Sequence, residues 1–393
     1  MSRAAAPARI AAAGSAAALL ALALLIPSSA ALFQDSGTIR ATMHSVEAVK
    51  LAFVGADAGD AMSLGWTSAG DLYAWGDNSA GQLGLGSVGG GAVIPTPVVF
   101  PEEVDITQAA AGTNLSIALA ADGGVYTWGN ADILPNTSTP TRLPFFDTLG
   151  DAVVGVDAGG FFYLAWTESG RLYSWGEAGG GRLGRPGASN SAPNVVTAQG
   201  LQNNTVTFAS AGRFQGTAIV AEQPVATGWG QSYGSTAGTT IAGGAAPLVG
   251  IAAGTGVTLF WDSGGTLYST SGGPATVITG LPPTASAALS TPTVGESSLY
   301  AWDAIGSLYA WGRNDHGQLG LGTSGASVAA PTPVPLAPGS TVLDVGSGGE
   351  HSLFVGGDTS FSSAGANAAG QLGTGDTGPR NAFASGIPIF SWP

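Results

Sequence analysis

The sequence predicts an all-β fold, a seven-bladed propeller, and three observations carry that prediction. Glycine supplies 64 of the 393 residues, alongside 23 prolines, against roughly 7% glycine in an average chain, so tight turns must be frequent. The dipeptide Trp-Gly recurs at Trp75-Gly76, Trp128-Gly129, Trp175-Gly176, Trp229-Gly230 and Trp311-Gly312. A landmark glycine lies at Gly59, Gly112, Gly159, Gly212, Gly254, Gly295 and Gly348, with spacings of 53, 47, 53, 42, 41 and 53. Seven units of about fifty residues, each long enough for four short strands, are the mark of a propeller.

Each strand of a unit has its own signal. Val154, Val156 and Ala158 alternate before Gly159, Tyr163 to Trp166 follow it, and Leu172-Tyr173-Ser174-Trp175 follows the turn Glu168-Ser169-Gly170-Arg171. Period-2 alternation broken by glycine turns reads as hairpins. Seven residues past each landmark stands Trp66, Leu119, Trp166, Ile219, Trp261, Trp302 or Val355, and nine further on the Trp of Trp-Gly, with Thr270 and Ala364 as degenerate equivalents and ten residues in the fourth unit. The pieces Pro95-Thr96-Pro97-Val98 and Pro331-Thr332-Pro333-Val334 suit outer strands, because proline is tolerated at a sheet edge. Trp66, Trp75, Trp166, Trp175, Trp302 and Trp311 are expected to pack between blades.

The N-terminus is different. Arg3 and Arg9 precede an apolar run from Ile10 to Ile26, and small residues follow at Ser28, Ser29, Ala30 and Ala31, the layout of a secretory signal. The expected organisation is a signal peptide or membrane anchor over 1–31, a linker or closing strand over 32–45, and the propeller over 46–393. Export holds for either fate of the first segment, and contact with a membrane is expected only through that segment. Acids outnumber bases, 25 to 11, for a net charge of −14, which excludes nucleic acid as a partner because phosphate binding rests on clustered Lys and Arg. The absence of cysteine excludes a disulfide framework, a thiolate zinc site and a cysteine nucleophile.

Two stretches, Asp77-Asn78-Ser79-Ala80-Gly81-Gln82-Leu83-Gly84-Leu85-Gly86 and Arg313-Asn314-Asp315-His316-Gly317-Gln318-Leu319-Gly320-Leu321-Gly322, together with Glu350-His351-Ser352-Leu353 after Gly348, resemble the repeat of the regulator of chromosome condensation family. Gly81, Gly181, Gly317 and Gly370 sit six residues after the Trp position, with Arg182 in place of Gln in the third unit. The second, fourth and fifth units lack this element, so their outer edges are the least defined. The residues Ala31-Leu32-Phe33-Gln34-Asp35-Ser36 also resemble the junction of alternative exported proteins of Gram-positive bacteria. The family includes nuclear exchange factors for a small GTPase, a plant ultraviolet photoreceptor and secreted bacterial β-lactamase inhibitors. Only the last shares an exported setting.

No catalytic constellation emerges. His44, His316 and His351 have no metal spacing, the glycine runs lack the Lys and Ser or Thr of a phosphate loop, and no serine sits in a nucleophile elbow. Neither a cofactor nor a metal is expected. The resemblance implies that the loops after the landmark glycines line a protein-binding face, which gives Asp60, Asn114, Phe161, Phe162, Arg213, Phe214, Glu296 and Glu350 as candidate partner-binding residues. Phe162 has a competing reading, packing between blades. Phe161, Arg213 and Phe214, from adjacent units, are expected to form one aromatic and cationic patch. The expected function is an exported, non-catalytic protein binder at the bacterial cell surface or in the medium, an inhibitor or adhesion module, whose partner is an extracellular or envelope protein. The alternatives are a carbohydrate-active enzyme using Glu296 and Glu350 as paired carboxylates, and a structural envelope or matrix component.

Overall fold

The computed structural model describes residues 51–129, 137–188, 190–289 and 297–385. The segments read as signal or anchor and as linker lie outside the described residues. Seven antiparallel sheets of four strands each follow one another along the chain. In the first, β1 (Phe53–Ala58), β2 (Met62–Thr67), β3 (Leu72–Gly76) and β4 (Ala92–Pro97) run from the inside outward. The first strands of all seven blades pack on one another in sequence, and the last returns to the first, so the sheet edges close into a ring around a central channel. Ring closure removes the long exposed edge that an open sheet would present.

The repeated residues make this geometry. Just past the inner strand of six blades stands the landmark glycine, and a Cβ added at Gly59, Gly112, Gly159 or Gly212 would collide with the carbonyl oxygen of the next blade's landmark. These glycines form a rim at one mouth of the channel. The hairpin turns between second and third strands point to the opposite end, the floor. Trp66, Trp166 and Trp261 lie over Gly55, Gly155 and Gly250 of their own inner strands, where any side chain would overlap the indole. Trp75, Trp128, Trp175 and Trp229 are fully buried.

The Gly-Gln-Leu-Gly turn acts as a latch between blades. Its second residue offers a backbone carbonyl to the next blade's Trp: Trp128 Nε1 donates to Gln82 O at 2.8 Å, Trp229 Nε1 to Arg182 O at 2.8 Å, and Trp75 Nε1 to Gln371 O at 2.8 Å, the last joining the seventh blade to the first. Where Ala364 replaces the Trp, Gln318 O instead accepts Ser352 Oγ at 2.6 Å and Tyr300 OH at 2.8 Å. Two positive-φ glycines frame each latch, as at Gly81 (78°) and Gly84 (70°), backbone that only glycine adopts without cost.

A second set of straps crosses the inner strands. Asp57 accepts the Ala111 N–H at 2.8 Å, Asp157 the Ala211 N–H at 2.8 Å, and Asp344 the Ala56 N–H at 3.1 Å. Between blades two and three the strap is neutral, with Gln108 donating to Val156 O at 2.9 Å, and between four and five Ser210 Oγ accepts the Ala253 N–H at 3.0 Å.

The sixth blade corrects the spacing argument. Inner strands end one residue before the landmark elsewhere, but here the strand Thr284–Leu289 ends six residues before Gly295. Trp302 pairs with Ser286, whereas Trp66 pairs with Gly55, so more residues separate the inner strand from the second strand in this blade. Gly295 itself is outside the described residues. The units without the latch element still make outer strands, Thr137–Arg142, Ser235–Ala242 and the two-residue Thr276–Val277.

Candidate functional site

The rim loops follow the landmark glycines, and each is held at both ends by its blade. After Gly159, Phe161 leads into the second strand Phe162–Thr167, and after Gly212, Arg213 and Phe214 lead into Gln215–Val220. Adjacent blades set these loops side by side. The Arg213 guanidinium stands 5.6 Å from the Phe161 ring centroid and 5.3 Å from that of Phe214. Arg182, from the latch of the third blade, stands 5.7 Å and 5.0 Å from the same two rings. Two guanidinium planes therefore share two aromatic faces, within the range where cation–π attraction operates.

Each arginine has a carboxylate partner. Arg182 pairs with Glu177 at 3.0 Å and also donates Nε to Gly179 O at 2.7 Å. Arg213 reaches across the channel mouth, to Asp60 of the first blade at 3.4 Å and to Thr113 Oγ1 of the second at 3.3 Å. Burial pushes the Arg182 guanidinium below its ordinary value; Glu177 counters this and neighbouring Arg213 adds to it. The cluster combines half-buried aromatic rings with buried, oriented cations, a combination enriched at interface hot spots.

The remaining expected residues are placed as follows. Asp60 is tied to Arg213, and Asn114 lies partly exposed on the second blade's rim loop. Glu350 belongs to a second charged group, 3.1 Å from Arg313 and 3.4 Å from His316 Nε2. Glu296 lies outside the described residues. Phe162 must be corrected: it is fully buried in the core between the third and fourth blades, packed with Leu164, Leu183 and Trp229. Its position is that of His351 in the seventh blade, which is also buried, so the repeat assigns this site to packing. Arg182 was the residue missed. Its signal was present, a charged residue at a latch position where three other units carry Gln.

Among the described residues Ser63 and His351 form a serine–histidine pair, and its surroundings make it structural. Ser63 Oγ donates to Gln371 O at 2.7 Å, so the 2.8 Å contact with His351 Nε2 requires the imidazole to donate its proton to Ser63. Both side chains are sealed in the closing seam, and burial pushes His351 down to about 3. Among the described residues no group of three or more His, Cys, Asp or Glu is arranged to hold a metal ion.

Residues 69–119 and 306–355 match the model of the Regulator of chromosome condensation (RCC1) repeat. Each match spans the outer half of one blade and the inner half of the next and so contains one latch. The chain is 28% identical over 350 residues to the human E3 ubiquitin-protein ligase HERC2, covering 81% of this chain but 7% of that protein. It is 26% identical over 319 residues to the Ultraviolet-B receptor UVR8 of Arabidopsis thaliana, covering 79% of this chain and 64% of the receptor. Among solved structures, Prp20p from Saccharomyces cerevisiae, described with its binding to Gsp1p and histones, superposes with a TM-score of 0.65 at 22% identity, over 77% of this chain and 81% of that one. At that identity the superposition concerns the fold.

Proposed function

We propose that this seven-bladed propeller, two stretches of which match the RCC1 repeat, is an exported, non-catalytic binder that takes a protein partner on its rim. The observation that carries this reading is the cluster of Arg182, Arg213, Phe161 and Phe214. Rings held in place by two guanidiniums lose little freedom on binding, and rigid aromatic anchors concentrate interface energy. Export rests on the layout of Arg3, Arg9 and the run Ile10 to Ile26, and the setting is the cell surface or the medium. The ligase activity in the name of the human relative belongs to a protein of which the matching stretch is 7%, and the propeller is what that match covers.

The test is capture by the immobilised full chain from the medium and envelope of the producing cells, with the Phe161→Ala/Phe214→Ala variant alongside. A partner held by the wild type and weakened at least thirtyfold by the variant, about 2 kcal/mol, is the expected result. A partner held equally by a variant of unchanged fold moves the interface elsewhere. Inhibition of a β-lactamase is one instance of this function, and unchanged hydrolysis across a panel of such enzymes eliminates it.

A further inference from the structure

The floor of the propeller carries a surface of different chemistry from the rim. Val54, Val154, Val249 and Leu343 occupy the same place, the second residue of the inner strand in blades one, three, five and seven, and are 36–52% exposed. Phe208 of the fourth blade adds an exposed ring beside them. Together they encircle the floor mouth of the channel. At the equivalent place the second and fourth blades carry exposed Thr107 and Thr207, so aliphatic side chains alternate with hydroxyls around these inner-strand starts.

Around that ring the charge is almost wholly negative. Every hairpin between second and third strands brings an acid to the floor, as Asp71, Asp122, Glu168, Glu222, Asp262, Asp303 and Asp358. Some of these cap their turns, as when Asp262 accepts the Gly264 and Thr266 N–H groups at 2.9 Å. Capping fixes their position and leaves their charge. Among the described residues the floor's basic side chains are Arg142 and Arg171, and Arg142 is already surrounded by Glu102, Asp122 and Asp147 at 2.9–3.2 Å. The channel opens inward from this surface. Its cavity of about 200 Å3 passes Trp66, Trp166 and Phe208 to reach Asp57, Asp157 and Asp344, and no basic residue lines it among those described.

We propose that this floor is a docking surface for a basic polypeptide segment tipped with aliphatic side chains. The aliphatic groups meet the valine and leucine ring, and lysine or arginine side chains meet the surrounding carboxylates. A ring of like charge raises the local concentration of an oppositely charged partner and speeds its association. Two copies of this chain would oppose their own carboxylates, so self-association through the floor is disfavoured. The proposal is independent of the rim.

Calorimetric titration of the full chain with a synthetic leucine–lysine peptide tests it, against the same peptide with glutamate for lysine. The lysine peptide should bind and the glutamate peptide should not, and raising sodium chloride from about 50 to 500 mM should weaken binding at least tenfold as the charges are screened. The Val154→Lys/Leu343→Lys variant should lose at least tenfold in affinity, Ile305→Lys, 78% exposed on the same face, a fewfold, and Val88→Lys on a rim loop nothing. Equal binding of both peptides overturns the proposal, as does wild-type affinity in the folded double variant. Should the double variant fail to fold, unaltered binding by Ile305→Lys, whose exposed side chain supports no packing, overturns it instead.

Discussion

The seam between blades three and four and the seam between blades two and three solve the same packing problem with different means. At the first, Trp229 Nε1 donates to Arg182 O at 2.8 Å and a charged strap, Asp157 to the Ala211 N–H, ties the inner strands. At the second the latch element is missing from the sequence, and Trp175 Nε1 is buried without a partner among the described residues. Aromatic packing replaces the hydrogen bond. Tyr163 stacks on Trp175 with ring centroids 5.2 Å apart, Phe146 of the short helix α1 (Pro144–Asp147) lies 5.6 Å away, and a cavity of about 220 Å3 remains beside Trp128 and Tyr163. The latched seam is tied by a directional bond, whereas this unlatched one rests on apolar packing beside a pocket. The rim cluster sits on the latched seam. Arg182 serves both, its carbonyl holding the Trp and its side chain facing Phe161 and Phe214.

The largest effect that sharpens this contrast is Trp229→Ala, expected to cost about 4 kcal/mol in denaturant unfolding through cavity formation. A loss below about 2 kcal/mol would mean the seam collapses around the gap and is not rigidly filled.

Next comes the pH dependence of the charged straps, which hold the latched seams. Burial pushes Asp157 and Asp344 up to about 6, and burial together with Asp157 raises Asp57 well above the ordinary carboxylate range. The folded protein then holds protons that the unfolded chain releases above about 4, so stability falls as pH rises through that window to about 6 and beyond. His351, pushed down to about 3, acts oppositely, costing stability as pH falls below about 6.5. Melting temperature should therefore decline from pH 5 to pH 8, and Asp157→Asn should flatten the decline. An identical slope in that variant rejects the strap as its source.

A smaller difference isolates the latch bond. Trp229→Phe orphans the Arg182 carbonyl and should cost about 1 kcal/mol more than Trp175→Phe, which breaks no such bond. Equal losses would reduce the latch to a geometric coincidence. Smallest is Phe214→Ala, at about 1 kcal/mol of stability, since its ring is half-buried and its contacts are cation–π. A loss several times larger would make Phe214 a core residue.

Much of this contrast was legible in the sequence. Gly-Gln-Leu-Gly, with Arg182 for Gln in the third unit, marked which units carry the element because its two left-handed turns need glycine, whereas the bond it makes to the next blade's Trp emerged only from the structure. Adjacent units also foretold that Phe161, Arg213 and Phe214 would meet. The inner-strand end of the sixth blade was not legible, since Gly295 has the right residue type at the right distance from the second strand and the insertion is silent in spacing. For Phe162 the sequence allowed both a rim anchor and packing between blades, because the strand register that decides between them is not written in the repeat spacing. The channel straps were invisible for a related reason: Asp57, Asp157 and Asp344 become neighbours only when the ring closes.

Native-state hydrogen exchange on the full chain, followed by mass spectrometry in low denaturant, tests the difference between seams most directly. Amides of Val125–Gly129 and Thr137–Arg142, beside the unlatched seam, should exchange through a partial opening of lower free energy, while those of Gln215–Val220 and Val225–Gly230 should exchange only with global unfolding. Equal opening energies for the two groups, or earlier opening of the strands around Trp229, would contradict the account.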